Sequence, residues 1–66
     1  MDGGDELRRL EEQAVASGME VAVDHIDGHW RAGFLVTNEL GESVFVRQVT
    51  GPDEVTAIRR LAGLVG

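Results

Sequence analysis

Val21-Ala22-Val23-Asp24-His25-Ile26-Asp27-Gly28-His29-Trp30-Arg31-Ala32-Gly33-Phe34-Leu35-Val36 is the stretch whose reading decides the fold. Asp27-Gly28 sits between two alternating apolar runs, and an Asp-Gly pair accepts the positive φ that a two-residue type I′ turn demands at both central positions. The turn then fixes the register. Ile26 faces His29, His25 faces Trp30, Asp24 faces Arg31, Val23 faces Ala32 and Val21 faces Phe34. Because successive side chains alternate across a strand, Val21, Val23, His25, Trp30, Ala32, Phe34 and Val36 make one face, the core. Ala22, Asp24, Ile26, His29, Arg31 and Leu35 make the other, where the opposed charges of Asp24 and Arg31 support the same register independently of hydrophobicity.

On the N-terminal side, Leu7, Leu10 and Ala14 recur at helical spacing from Asp5, with Asp5 and Glu6 in the first turn and Gly18 as the stop. Asp5 with Arg9 and Arg8 with Glu12 stand at i, i+4, which predicts ion pairs on the exposed helix face. Met1 to Gly4 reads as a loose leader.

On the C-terminal side, a four-residue loop, Asn38 to Gly41, precedes a third strand from Ser43 to Val49. That loop length pairs Phe34 with Phe45 and turns Phe45 and Val49 inward, leaving Val44 and Val46 outside; a change of one residue exchanges the two sets. The larger buried area of an aromatic favours Phe45 inward and carries Arg47 to the core side, near an edge. Thr50-Gly51-Pro52-Asp53-Glu54 reads as a helix start, with Thr50 or Gly51 at the cap and Pro52 at the first helical position. Val55, Ile58, Leu61, Ala62 and Val65 form its buried stripe, and Arg59 and Arg60 lie toward its end, where cations complement the dipole. The expected architecture is one α+β domain over residues 1–66: a three-stranded antiparallel sheet with both helices packed on one face, in the order α-β-β-β-α.

Composition narrows the functional classes. At 66 residues without cysteine, the chain has a modest core and no disulfide framework. There is no secretory signal pattern and no apolar run of membrane-spanning length, so a soluble cytoplasmic protein is expected. The net charge is −6 and all six basic residues are arginine, a balance that opposes binding to phosphate backbones. His25 and His29 are sent to opposite faces, so the Asp24 to His29 cluster does not converge on a metal. His25 is expected to be half-buried against Trp30, which closes the core near the turn. The hydroxyl residues occupy cap, turn or strand positions and no glycine loop is arranged for phosphate. No catalytic residue, metal or cofactor is expected.

The order and lengths of these elements resemble the double-stranded RNA-binding domain. That family opens its second helix with a basic motif of the form lysine-lysine-x-alanine-lysine, and enters a minor groove with a longer loop between its first two strands. Laid on residues 51–56 here, the motif places Pro52, Asp53 and Thr56 at lysine positions and Val55 at the alanine, and the loop is only Asp27-Gly28. The resemblance therefore implies the scaffold without the RNA contacts. A small sheet followed by a helix also resembles the AP2-like DNA-reading domains.

The function expected from the letters is a small acidic, non-enzymatic protein-binding module. Ala22, Ile26, Leu35, Val44 and Val46 are expected to form an apolar patch on the outer sheet face, which docks on another protein or on a second copy. One concrete form is an inhibitor, of the kind phages and mobile elements encode, that occupies the basic surface of a nucleic-acid-handling protein. Glu11, Glu12, Glu39, Glu42, Asp53 and Glu54 are its candidate acidic contacts. The alternatives are a degenerate nucleic-acid binder using Arg31, Arg47, Arg59 and Arg60, or a small accessory subunit.

Overall fold

A computed structural model describes residues 3–65. The elements run α1 (Gly3–Ala16), β1 (Glu20–Ile26), β2 (His29–Thr37), β3 (Ser43–Gly51) and α2 (Glu54–Val65). The three strands form one antiparallel sheet in the order β1-β2-β3. Both helices lie on one side of it: Leu10 and Ala14 of α1, and Ala57, Ile58 and Leu61 of α2, close on Ala32 and Phe34 of β2. This is the expected α+β fold.

The first hairpin forms as its letters require. Asp27 takes φ +47° and Gly28 φ +81°, and every expected partner from Val21↔Phe34 to Ile26↔His29 is paired. Trp30 is partly buried and packs against the core, with the His25 ring 5.0 Å away and tilted by 34°. His25 itself is exposed rather than half-buried, because it stands near the turn, beyond the cover the helices give.

Helix α1 begins earlier than expected. Gly3 and Gly4 belong to it, while Met1 and Asp2 of the expected leader lie outside the described residues. It ends as read: Gly18 adopts φ +72°, its N–H donates to the Val15 carbonyl at 3.1 Å, and the Met19 N–H donates to the Ala14 carbonyl at 2.7 Å. This paired arrangement satisfies two carbonyls left open by the helix end and brings Met19 onto the core. The pairs Asp5–Arg9 and Arg8–Glu12 do not close. Glu6 instead reaches across to Arg59 of α2, 3.3 Å away, so the charge contact ties helix to helix.

Helix α2 starts later than expected, since Thr50 and Gly51 still belong to β3. Its cap is Asp53, whose Oδ1 accepts the Thr56 N–H at 2.7 Å. Gly51 is buried because β3 runs close under this first turn: a methyl group there would lie 2.9 Å from the Ala57 nitrogen. The buried stripe is Ala57, Ile58 and Leu61, with Ala62 and Val65 packed against it, whereas Val55 is 39% exposed. Arg59 and Arg60 are not in the last turn; Arg60 Nη1 donates to the Thr50 carbonyl at 2.8 Å.

The cap supplies a pH prediction. The Thr56 backbone N–H holds the Asp53 carboxyl below its ordinary value of 3.8, helped by the Thr56 side chain and by Arg59 and Arg60. A depressed folded value means that this stabilisation is complete above the unfolded carboxylate's range and is lost as pH falls through the lower folded value. Asp53→Asn should retain the cap, start from a similar melting temperature at neutral pH and lose less on acidification below about pH 4. Asp53→Ala should melt lower at neutral pH. Thermal melts of the three proteins between pH 2 and 7 check this.

Candidate functional site

The sheet's second side carries no helix, and its chemistry is organised by β3. The β2–β3 loop is five residues long, Asn38 to Glu42, one more than expected. Asn38 holds it closed: its Oδ1 accepts the Leu40 and Glu42 N–H groups at 2.9 and 3.0 Å, and its own N–H donates to the Glu42 carbonyl at 2.9 Å. Pairing therefore begins at Thr37↔Ser43 and continues through Val36↔Val44 and Leu35↔Phe45. A one-residue change of register exchanges the faces, and Phe45 faces outward, contrary to the expectation. Val44, opposite Val36, turns to the helix side.

Val46 is an extra residue. The ladder resumes at Phe34↔Arg47, a shift between Phe34 and Leu35 that makes Val46 a bulge. The bulge restores the expected facing beyond it. Val49 lies opposite Ala32 and packs on the core, and Arg47 lies opposite Phe34 on the exposed edge. Val44 thus leaves the expected outer-face patch, and Val44 and Val46 stand 46% and 54% exposed on the edge strand β3. Ile26 and Leu35 do occupy the outer face, both half-buried.

What gathers on that face spans all three strands. Arg31 makes a two-pronged contact with Asp24, Nε to Oδ1 at 3.0 Å and Nη2 to Oδ2 at 2.5 Å. Its guanidinium carbon also lies 4.2 Å from the centre of the Phe45 ring, within reach of a cation–π contact. The ring itself lies over Gly33, where a methyl group would come within 2.7 Å of it. Glycine in the middle of β2 is what lets the aromatic ring approach the strand this closely. The guanidinium hydrogen bonds hold the Asp24 carboxyl below its usual range and raise Arg31 further above its own. Both groups remain partly open to solvent, 26% for the Arg31 side chain and 43% for Asp24.

No protein-family model, no curated protein and no solved structure matches this chain. The element order and the antiparallel sheet are compatible with a double-stranded RNA-binding scaffold, while the residues at the start of α2 are Asp53 and Glu54. Three of the four arginines considered for phosphate contact are engaged within the protein: Arg31 by Asp24, Arg59 by Glu6 and Arg60 by the Thr50 carbonyl.

The acidic candidates do not converge. Glu11 and Glu12 are exposed on α1, Glu39 and Glu42 lie in the β2–β3 loop, and Asp53 and Glu54 open α2. The last two groups sit at opposite ends of β3, a span of roughly 30 Å for a nine-residue strand. Asp53 is committed to its cap, and Glu42 accepts a bond from the Asn38 side chain at 3.3 Å. Among the described residues no cluster of His, Asp and Glu is placed to hold a metal ion, and no helix is long and apolar enough to cross a membrane.

Sequence reasoning missed Phe45 and the stack it completes. A usable signal was Gly33 itself: an outward-facing glycine inside a strand leaves a bare patch that a neighbouring aromatic can cover.

Proposed function

We propose that this protein is a non-enzymatic protein-binding module that docks through its uncovered sheet face. The observation that carries this reading is the Asp24–Arg31–Phe45 stack, flanked by Ala22, Ile26 and Leu35. Arginine and aromatic side chains are enriched where protein interfaces concentrate their binding energy, and here they are held in place before any partner arrives. Asp24 and Arg31 keep each other as partners when water is removed, so covering them costs less than covering an unpaired charge.

The acidic-inhibitor form remains a second reading, favoured by the exposed Glu11 and Glu12 on α1. One experiment separates them. Tagged wild-type protein, Leu35→Glu and the double variant Glu11→Lys, Glu12→Lys are used to capture partners from the native host, with the captured proteins identified by mass spectrometry. Docking through the sheet face predicts that Leu35→Glu loses the partner, that the double variant keeps it, and that moderate salt does not elute it. Loss in the double variant alone, with elution by salt, would establish the acidic surface as the contact.

A further inference from the structure

We infer that the occupant of the open sheet face is a second copy of this chain, related by a two-fold axis that brings the two sheets face to face. The inference rests on the docking face proposed above and adds the identity of what covers it.

Charge distribution is the first argument. The molecule carries −6, so two copies repel one another over most of their surface. The outward-facing positions of the strands include only two acids, Glu20 and Asp24, against Arg31. The excess acid lies elsewhere, on the helices and in the β2–β3 loop. Two copies meeting at this face therefore bring together their least charged sides.

Self-complementarity is the second. In a two-fold interface each residue meets a different residue of the other copy and the contact is repeated in reverse. A face with one cation and one anion side by side suits that arrangement: near the axis Arg31 of each copy can stand against Asp24 of the other, in an alternating square of charge. The apolar residues around it, Ile26, Leu35 and Phe45, supply the area excluded from water.

Size and the alternative route are the third. The molecule measures 36 × 28 × 16 Å between Cα atoms, and two layers stacked about 10 Å apart account for the short dimension. The open sheet is then one of the broad sides; its three strands, about 4.8 Å apart and up to nine residues long, present on the order of 400 Å² in plan, so the pair forms an interface at the small end of the range. Pairing edge to edge along β3 is obstructed, since the bulge at Val46 interrupts the row of backbone donors and acceptors a new strand would need.

Analytical ultracentrifugation of the full chain tests the inference. Wild type should sediment as a dimer of twice 7.1 kDa at micromolar concentration. Added salt should tighten it by screening the repulsion between two acidic copies, the opposite of the trend for an acid-to-base contact. Asp24→Arg alone and Arg31→Asp alone should each be monomeric, while an equimolar mixture of the two should form a heterodimer. Leu35→Glu, with its circular dichroism spectrum unchanged, should also be monomeric. A wild type that stays monomeric up to several hundred micromolar overturns the inference. So does a dimer that both single charge variants preserve, or a mixture that fails to associate. A monomeric wild type whose heterologous partner is still lost in Leu35→Glu would overturn the second copy alone and leave the docking face standing.

Discussion

Gly33→Ala should lower the stability of this protein by about 3 kcal/mol, at the upper end of the cost of forcing one carbon into a packed site. The added methyl group would meet the Phe45 ring at 2.7 and 2.9 Å and would press still closer on the Arg47 carbonyl. The ring can swing aside, but the carbonyl belongs to the β3 backbone at the bulge and can move only with the strand. The two obstacles are separable. In the double variant Gly33→Ala, Phe45→Ala the ring contact is gone, so the combined loss should be smaller than the sum of the two single losses, with the carbonyl clash remaining. Urea denaturation of the four proteins measures this. Strictly additive losses would mean that the ring does not lie over Gly33.

Leu61→Ala should cost a similar amount, about 3 kcal/mol within the usual range for a buried leucine. Leu61 is wholly buried where α1, α2 and β2 meet, while Leu64, one turn further along α2, is 52% exposed. Leu64→Ala should therefore change stability by no more than about 0.5 kcal/mol. The same chemical change on one helix separates burial from helix propensity. In a chain of 66 residues, the larger loss is a substantial fraction of the total stability, so Leu61→Ala should be partly unfolded at modest temperature. Thermal melts followed by circular dichroism compare the two variants.

The fold was legible because its decisive features are local. Asp27-Gly28 sets a two-residue turn, the alternation on either side of it assigns faces, and Gly18 ends a helix, each without help from distant parts of the chain. The third strand's facing was not legible, for two reasons that act together. Asn38 closes a loop one residue longer than its glycine suggests, through bonds from its side chain to the Leu40 and Glu42 nitrogens. Val46 then inserts a further residue, and nothing in Val44-Phe45-Val46 distinguishes a bulge from a regular strand. Ile26 and Leu35, set by the first hairpin, fell on the expected side, while Val44 did not. The start of α2 was displaced for a different reason: Pro52 suits a first helical position, but Asp53 offers the stronger cap, and Thr50 and Gly51 are retained by pairing with Arg31 and Trp30.

The inserted residue at position 46 also decouples how the two halves of β3 can drift over generations. Before it, odd positions answer to whatever meets the molecule from outside; after it, odd positions answer to the helices. A lineage could alter Phe45 to suit a new neighbour without disturbing Val49, whereas losing Val46 would force both halves into one phase and set the demands of recognition against those of folding.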